Sequence, residues 1–294
     1  RKPGTTNVRM EQKDAEGILT LSLDEIEEIR FDLSGLKPGT LQQLYMMGNY
    51  KDVSKSLAGS IIPYFSFVDQ KANSNELIKL FIESLYRAGN TNSVLAAVTE
   101  IEKYAASGEM RRFGDVYRSL TLLKAGNLEA FAPYADLFEK IELDDSLAPE
   151  LWYGNARLAL LKDDWKTANT FLAKIIVEAP MQTDWSGEAL YLSATYHHSR
   201  TNLVVANQIC QEIQIVVPMT EWPEKAAELE ATIRAEAEEA GVELVEFGGI
   251  RDDGAKEAGE AEIDYRERQR KLKQEETERL REELENLNND DEAL

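Results

Sequence analysis

The sequence predicts an all-α protein, a solenoid of about five helix pairs with a short β-like segment before it and a charged helix after it. Three observations carry that fold class. First, a polar turn keeps returning: GNYKDV from Gly48, GNTNSV from Gly89, GNLEAF from Gly126, DDWKTA from Asp163 and TNLVVA from Thr201, at intervals of 41, 37, 37 and 38 residues. A period of this length marks a repeat architecture, in which one unit cannot bury its apolar face alone. Second, each turn is flanked on both sides by apolar residues at three- and four-residue spacing, the mark of amphipathic helices. Third, 17 glycines and 8 prolines among 294 residues are few, which favours long helices over a β-sandwich.

The N-terminal segment, 1–36, contains GILTLSLDEIEEIRFDL. Ile18, Leu19, Leu21 and Leu23, then Ile26, Ile29 and Phe31, read as two short strands joined at Asp24–Glu25. A short helix over Leu23–Arg30 competes with that hairpin, because the alternation is imperfect.

The helical body spans 37–241, with helix–turn–helix units over 39–69, 75–107, 109–142, 147–179 and 184–217. In the third, Phe113, Val116, Tyr117, Leu120 and Leu123 precede the turn, and Leu128, Phe131, Tyr134, Ala135 and Phe138 follow it. Glycine at the end of the first helix permits the left-handed backbone that stops it. Asn, Asp or Thr beside it can cap the second helix. Residues 222–240 (WPEKAAELEATIRAEAEEA) read as a capping helix with Pro223 in its first turn. VELVEF after Gly241 reads as a strand, and GGIRDDGAKEAG completes a strand-and-linker segment, 242–259. From 260 to 294 the chain is a charged helical tail. Its seam of Ile263, Leu272, Leu280, Leu284 and Leu287 is too sparse for a coiled coil, so composition favours a solvated spacer. Pairs such as Glu275–Arg279 and Glu278–Arg281 support it as a helix.

Composition limits the function classes. The formal charge is −21, so the chain should repel phosphate backbones and anionic membranes. The one basic run, Arg266–Lys273, is flanked by carboxylates. No apolar stretch is long enough to span a bilayer. The single cysteine, Cys210, sits in an apolar run and reads as a small buried hydrophobe. The first residue is Arg1, not methionine, from which a removed export signal is expected.

The units resemble tetratricopeptide repeats. PELWYGNARLALLKDDWKTANTFLAKIIVEAP, from Pro149 to Pro180, carries the likeness best. Trp152 matches the family's large early residue and Ala156 its small residue one turn on. Asp163, Asp164 and Trp165 match the turn with its aromatic, Ala168 the small residue of the second helix, and Pro180 the closing proline. Leu190, Ala194, Thr201, Asn202, Ala206 and Pro218 repeat the pattern. The earlier units keep the Gly–Asn turn but place Val53, Val94 and Phe131 where a small residue is usual. The resemblance covers about 39–218. It implies a right-handed α-solenoid whose concave face is lined by the first helix of each pair, and a protein- or peptide-binding scaffold rather than an enzyme. Likeness to exported members, with the absent methionine, sets the expected compartment as the periplasm or cell envelope.

On that alignment the groove residues are Lys79, Glu83 and Tyr86, then Val116 and Leu120, then Tyr153 and Arg157, then Tyr191, Thr195 and His198. Tyrosine and arginine are frequent binding anchors. Some relatives hold a terminal carboxylate with Asn and Lys along this face. Gln42, Glu83 and Arg157 stand here instead, so that activity is not expected. No constellation points to catalysis, metal or cofactor. His197 and His198, the only histidines, point about 100° apart on a helix and lack neighbouring ligands; His197 is read as packing between helices. The acid pairs Asp144–Asp145, Asp163–Asp164 and Asp252–Asp253 sit at turns and loops. Gly248–Gly249 lacks the rest of a phosphate loop. The second reading is a self-assembling spacer that pairs through its N-terminal strand and C-terminal helix as a homo-oligomer.

Overall fold

The computed structural model describes residues 7–11, 18–22, 26–139, 141–179, 182–245 and 271–282, and it is predominantly α-helical. Several expectations fall outside these residues: the Asp24–Glu25 junction, Pro180, the 248–259 linker, and the tail at 260–270 and 283–294. Helices α1 (Pro38–Met46) and α2 (Tyr50–Ala58) form the first pair, α3 (Ser74–Arg87) and α4 (Thr91–Tyr104) the second. Next come α5 (Glu109–Lys124) with the single turn α6 (Leu128–Phe131), α7 (Ala148–Leu161) with α8 (Trp165–Glu178), and α9 (Thr183–Ser199) with α10 (Leu203–Val216). Helix α11 (Trp222–Ala240) follows, and residues 271–282 form α12.

One two-residue device makes the turns. Gly48, Gly89 and Gly126 have φ of 79°, 74° and 69°, and Asp163 and Thr201 hold the same left-handed position at 56° and 58°. The next residue closes the preceding helix: Asn90, Asn127, Asp164 and Asn202 each donate their N–H at 2.9 Å to the carbonyl five residues back. The side chains of Asn90, Asn127 and Asp164 then accept from Ser93, Ala130 and Thr167 N–H and so cap the following helix. A single polar residue ends one helix and starts the next, which is why the sequence signal is so regular.

Contacts divide the chain into two compact units, one of Arg1–Tyr45 with Tyr50–Tyr134, the other of Met46–Asn49 with Ala135–Leu294. The division at Tyr134–Ala135 falls inside the stretch read as one body, 37–241.

In the first unit α3 packs against α2, α4 and α5, and α4 against α5. Its core holds Leu44, Val53, Leu57, Ile78, Ile82, Val98, Ile101, Phe113 and Tyr117, each at most 1% exposed. The expected hairpin exists with a different partner. Strand β1 (Asn7–Glu11) pairs antiparallel with β2 (Ile18–Ser22), with Asn7 opposite Ser22 and Glu11 opposite Ile18. Ile26–Phe31 is not its second strand; Ile29 forms a single parallel bridge to Ala72. Two second helices are shorter than their apolar pattern. Helix α2 stops before Gly59 and gives way to a 3-10 segment over Ile62–Phe67 that contains Pro63. Helix α6 yields to a 3-10 segment over Ala132–Phe138 with Pro133 in its first turn. Proline lacks the N–H that would continue the ladder, yet Phe131 and Phe138 are still buried.

In the second unit α7 pairs with α8 and α10 with both α9 and α11, while α9 also lies against α7, α8 and α11. Ala156, Ala168, Ala194 and Ala206 are fully buried, and such small side chains let helix axes approach closely. Val242–Val245 is not a strand. Gly241 is left-handed at φ 66°, and Val242 N–H returns 2.8 Å to Ala237 carbonyl, so the segment finishes α11. The tail at 271–282 is not a solvated spacer. Leu280 is 1% exposed, Lys273 Nζ donates to Thr220 carbonyl at 2.6 Å, and Asn49 Nδ2 donates to Thr277 Oγ1 at 3.2 Å. Its Arg279 pairs with Glu276.

Candidate interaction surface

In the second unit the first helices α7 and α9 and the capping helix α11 follow one another, with α9 touching both of the others. Polar contacts between them recur at about one repeat. Tyr153 hydroxyl donates to Glu188 at 2.5 Å and Trp185 Nε1 to Glu150 at 3.2 Å, both 35 residues apart. His198 Nε2 lies 2.9 Å from Glu236, 38 residues on. At the turns, Arg200 donates to Asp163 at 2.7 Å, 37 residues away. The aromatic residue of the DDW turn has a matching role. Trp165 stacks on Tyr196 with centroids 3.6 Å apart and planes at 8°, and His197 meets both rings edge-on at 5.7 Å. His197 is half-buried, and desolvation holds its pKa below the ordinary imidazole value.

Of the sequence-predicted residues here, Tyr153 is 2% exposed and belongs to the core. This corrects its assignment to an open groove. Its ring packs against Trp185 at 5.1 Å and its hydroxyl is engaged by Glu188. Arg157, Tyr191 and His198 are half-exposed, and Thr195 is exposed. The Arg157 guanidinium lies 5.8 Å from the Tyr153 ring centre, and Tyr191 tilts against Trp222 at 5.5 Å. Burial, then the proximity of Cys210 and Glu228, raises the Tyr191 phenol above its usual pKa. The surface therefore presents a guanidinium, a phenol and an imidazole, rimmed by Glu188 and Glu236. Both carboxylates escaped the sequence reading; a search for polar pairs one repeat apart would have found them.

In the first unit Lys79 bridges Glu76 at 2.9 Å and Glu109 at 2.6 Å. Burial alone would lower its pKa, but the hydrogen bonds to Glu109 and Glu76 hold it above the usual value. Glu83 is half-buried. Three expectations are corrected: Tyr86, Val116 and Leu120 are 2%, 0% and 1% exposed, so none lines an open groove. Helix α5 is covered by α3, α4 and α6 at once, and a helix packed on several sides buries more than one stripe. Tyr86 meets Tyr117 edge-on at 5.6 Å, with Lys124 Nζ 4.8 Å from its ring centre. Among the described residues, the open clefts include two. One, ≈ 460 Å³, lies among Glu28, Lys71, Asn75, Lys79 and Glu109. The other, ≈ 410 Å³, lies among Leu33, Pro38, Gln42, Leu77 and Leu80.

Among the described residues no three His, Cys, Asp or Glu side chains group as a metal-holding set. Cys210 is buried, and desolvation followed by Glu230 pushes its thiol up to about 12. No helix among the described residues is long and apolar enough to cross a membrane. Comparison with known protein families, with curated proteins and with solved structures finds no match in any of the three.

Proposed function

We propose that the chain is a non-enzymatic scaffold of tetratricopeptide-like helix pairs, stacked as a right-handed solenoid, that binds a protein or peptide partner on the face of its first helices. The observation that carries this reading is the adjacency of α7, α9 and α11, with Arg157, Tyr191, Thr195 and His198 left partly open along them. Along these helices Arg157 lies over the Tyr153 ring, Tyr191 tilts against Trp222 and His198 pairs with Glu236, contacts that present side chains of the kind that anchor partners. Capture from an extract of the native organism, with partners identified by mass spectrometry, tests it. The triple variant Arg157→Ala, Tyr191→Ala, His198→Ala should lose the partner while its helical circular dichroism is unchanged. A partner retained by the triple variant would reject this face as the site.

A further inference from the structure

An extended stretch of the first unit behaves as a bound peptide. Ile29 N–H donates to Lys71 carbonyl at 2.9 Å, and Asn73 N–H to Ile29 carbonyl at 3.3 Å. The Asn73 side chain then grips the backbone two residues further on. Its Oδ1 accepts from Phe31 N–H, and its Nδ2 donates to Phe31 carbonyl, both at 2.9 Å. A primary amide used in both directions mimics a strand partner, so the slot reads backbone as β-augmentation does. One aromatic anchor adds selectivity. The half-buried Phe31 ring meets Tyr64 edge-on at 4.9 Å and Phe67 at 5.3 Å. Leu33 then borders the ≈ 410 Å³ cleft beside Leu77 and Leu80.

The segment is tied to the helical body by a short turn at Ser34–Lys37. Lys37 is left-handed there at φ 41°, a conformation that costs a non-glycine residue energy in the closed form. Straightening that turn carries the segment out of its slot and relieves the strain. Four hydrogen bonds and one half-buried ring are a small hold, and a second molecule restores every one of them.

We infer that the slot exchanges its occupant: the Glu28–Leu33 segment of a second copy of this chain takes the resident segment's place, and two copies form a segment-swapped dimer. The second copy is the occupant that fits, because every molecule carries both the slot and the sequence matched to it. Each copy carries a net charge of −21, so the encounter is opposed by repulsion that salt screens. The dimer therefore gains population with protein concentration and with ionic strength. This inference does not depend on the first-helix face of the second unit.

Sedimentation velocity of the full chain over a concentration series, at low and high salt, tests it. The wild-type chain should show a monomer–dimer equilibrium that moves towards dimer in salt. Lys37→Gly, which removes the left-handed strain from the closed monomer and leaves segment and slot intact, should move the equilibrium towards monomer by roughly tenfold or more. Asn73→Asp keeps the acceptor for Phe31 N–H and loses the donor to its carbonyl. That bond is lost from the closed monomer and the swapped dimer alike, so Asn73→Asp should change the dissociation constant by less than roughly threefold. A wild-type chain that stays monomeric, a dimer indifferent to Lys37→Gly, or a dimer that Asn73→Asp dissolves would overturn the inference.

Discussion

Gly187 shows how one residue fixes the approach of two helices. A Cβ built on it would stand 2.2 Å from Trp222 Cδ1 and 2.7 Å from Cγ, and that indole is buried. The ring is too enclosed to swing aside, so Gly187→Ala should destabilise the second unit by about 1–3 kcal/mol, read from the urea midpoint. Cys210 makes the opposite case, a group kept from chemistry by its surroundings. With its thiol pushed up to about 12, the thiolate fraction at pH 8 is on the order of 10⁻⁴. A disulfide exchange reagent should label native protein far more slowly than urea-unfolded protein. Glu230 supplies a pH dependence. Burial alone would raise its pKa, but hydrogen bonds from Arg234, Gln214 and Gln211 hold it below the usual carboxylate value of 4.5. Its native pKa is the depressed one, so its stabilisation is complete above the unfolded value and disappears as pH falls from about 4.5 through the native value. Glu230→Gln should therefore flatten the acid limb of a stability–pH curve measured by urea denaturation.

At the scale of the element, the turn device predicts substitutions of opposite sign. Asn127→Ala removes the cap on Ala130 N–H and should cost about 1 kcal/mol. Thr201→Gly frees a β-branched residue from φ 58° and should raise stability by up to about 1 kcal/mol. Thermal unfolding of both variants checks the pair. These turns were the most legible part of the sequence, because backbone sign and cap chemistry are local and fall on two adjacent residues. Helix length was less legible. The apolar spacing from Leu128 to Phe138 is helical, yet Pro133 removes a ladder hydrogen bond and the segment tightens to 3-10 while still burying both phenylalanines. Strand pairing was the least legible. The partner of Ile18–Ser22 lies upstream at Asn7–Glu11, and the apolar Ile29 and Phe31 answer to Lys71, Asn73, Tyr64 and Phe67, more than thirty residues away. No local pattern carries that information.

At the scale of the molecule, periodicity located the helix pairs but not their exposed sides. The resemblance to tetratricopeptide repeats leads to Tyr86, Val116, Leu120 and Tyr153 being expected in a groove, while their neighbours on several sides bury them. Arg157, Tyr191, Thr195 and His198 keep partial exposure, so the candidate surface is narrower than the sequence implies and lies along α7, α9 and α11. The charged tail shows the same limit from the other side. Its sparse apolar seam reads as solvated, but of its two described residues Leu272 is exposed and Leu280 is buried, with Lys273 and Thr277 tying the helix down.

The account rests on helix pairs leaning on their neighbours about one repeat away. Four tryptophans make this directly measurable, because each indole gives one resolvable signal that a Trp→Phe variant assigns. Nuclear Overhauser contacts should join Trp165 to Tyr196, Trp185 to Tyr153 and Trp222 to Tyr191. All three contacts together are the predicted result; indoles that contact only residues of their own helix pair would contradict it.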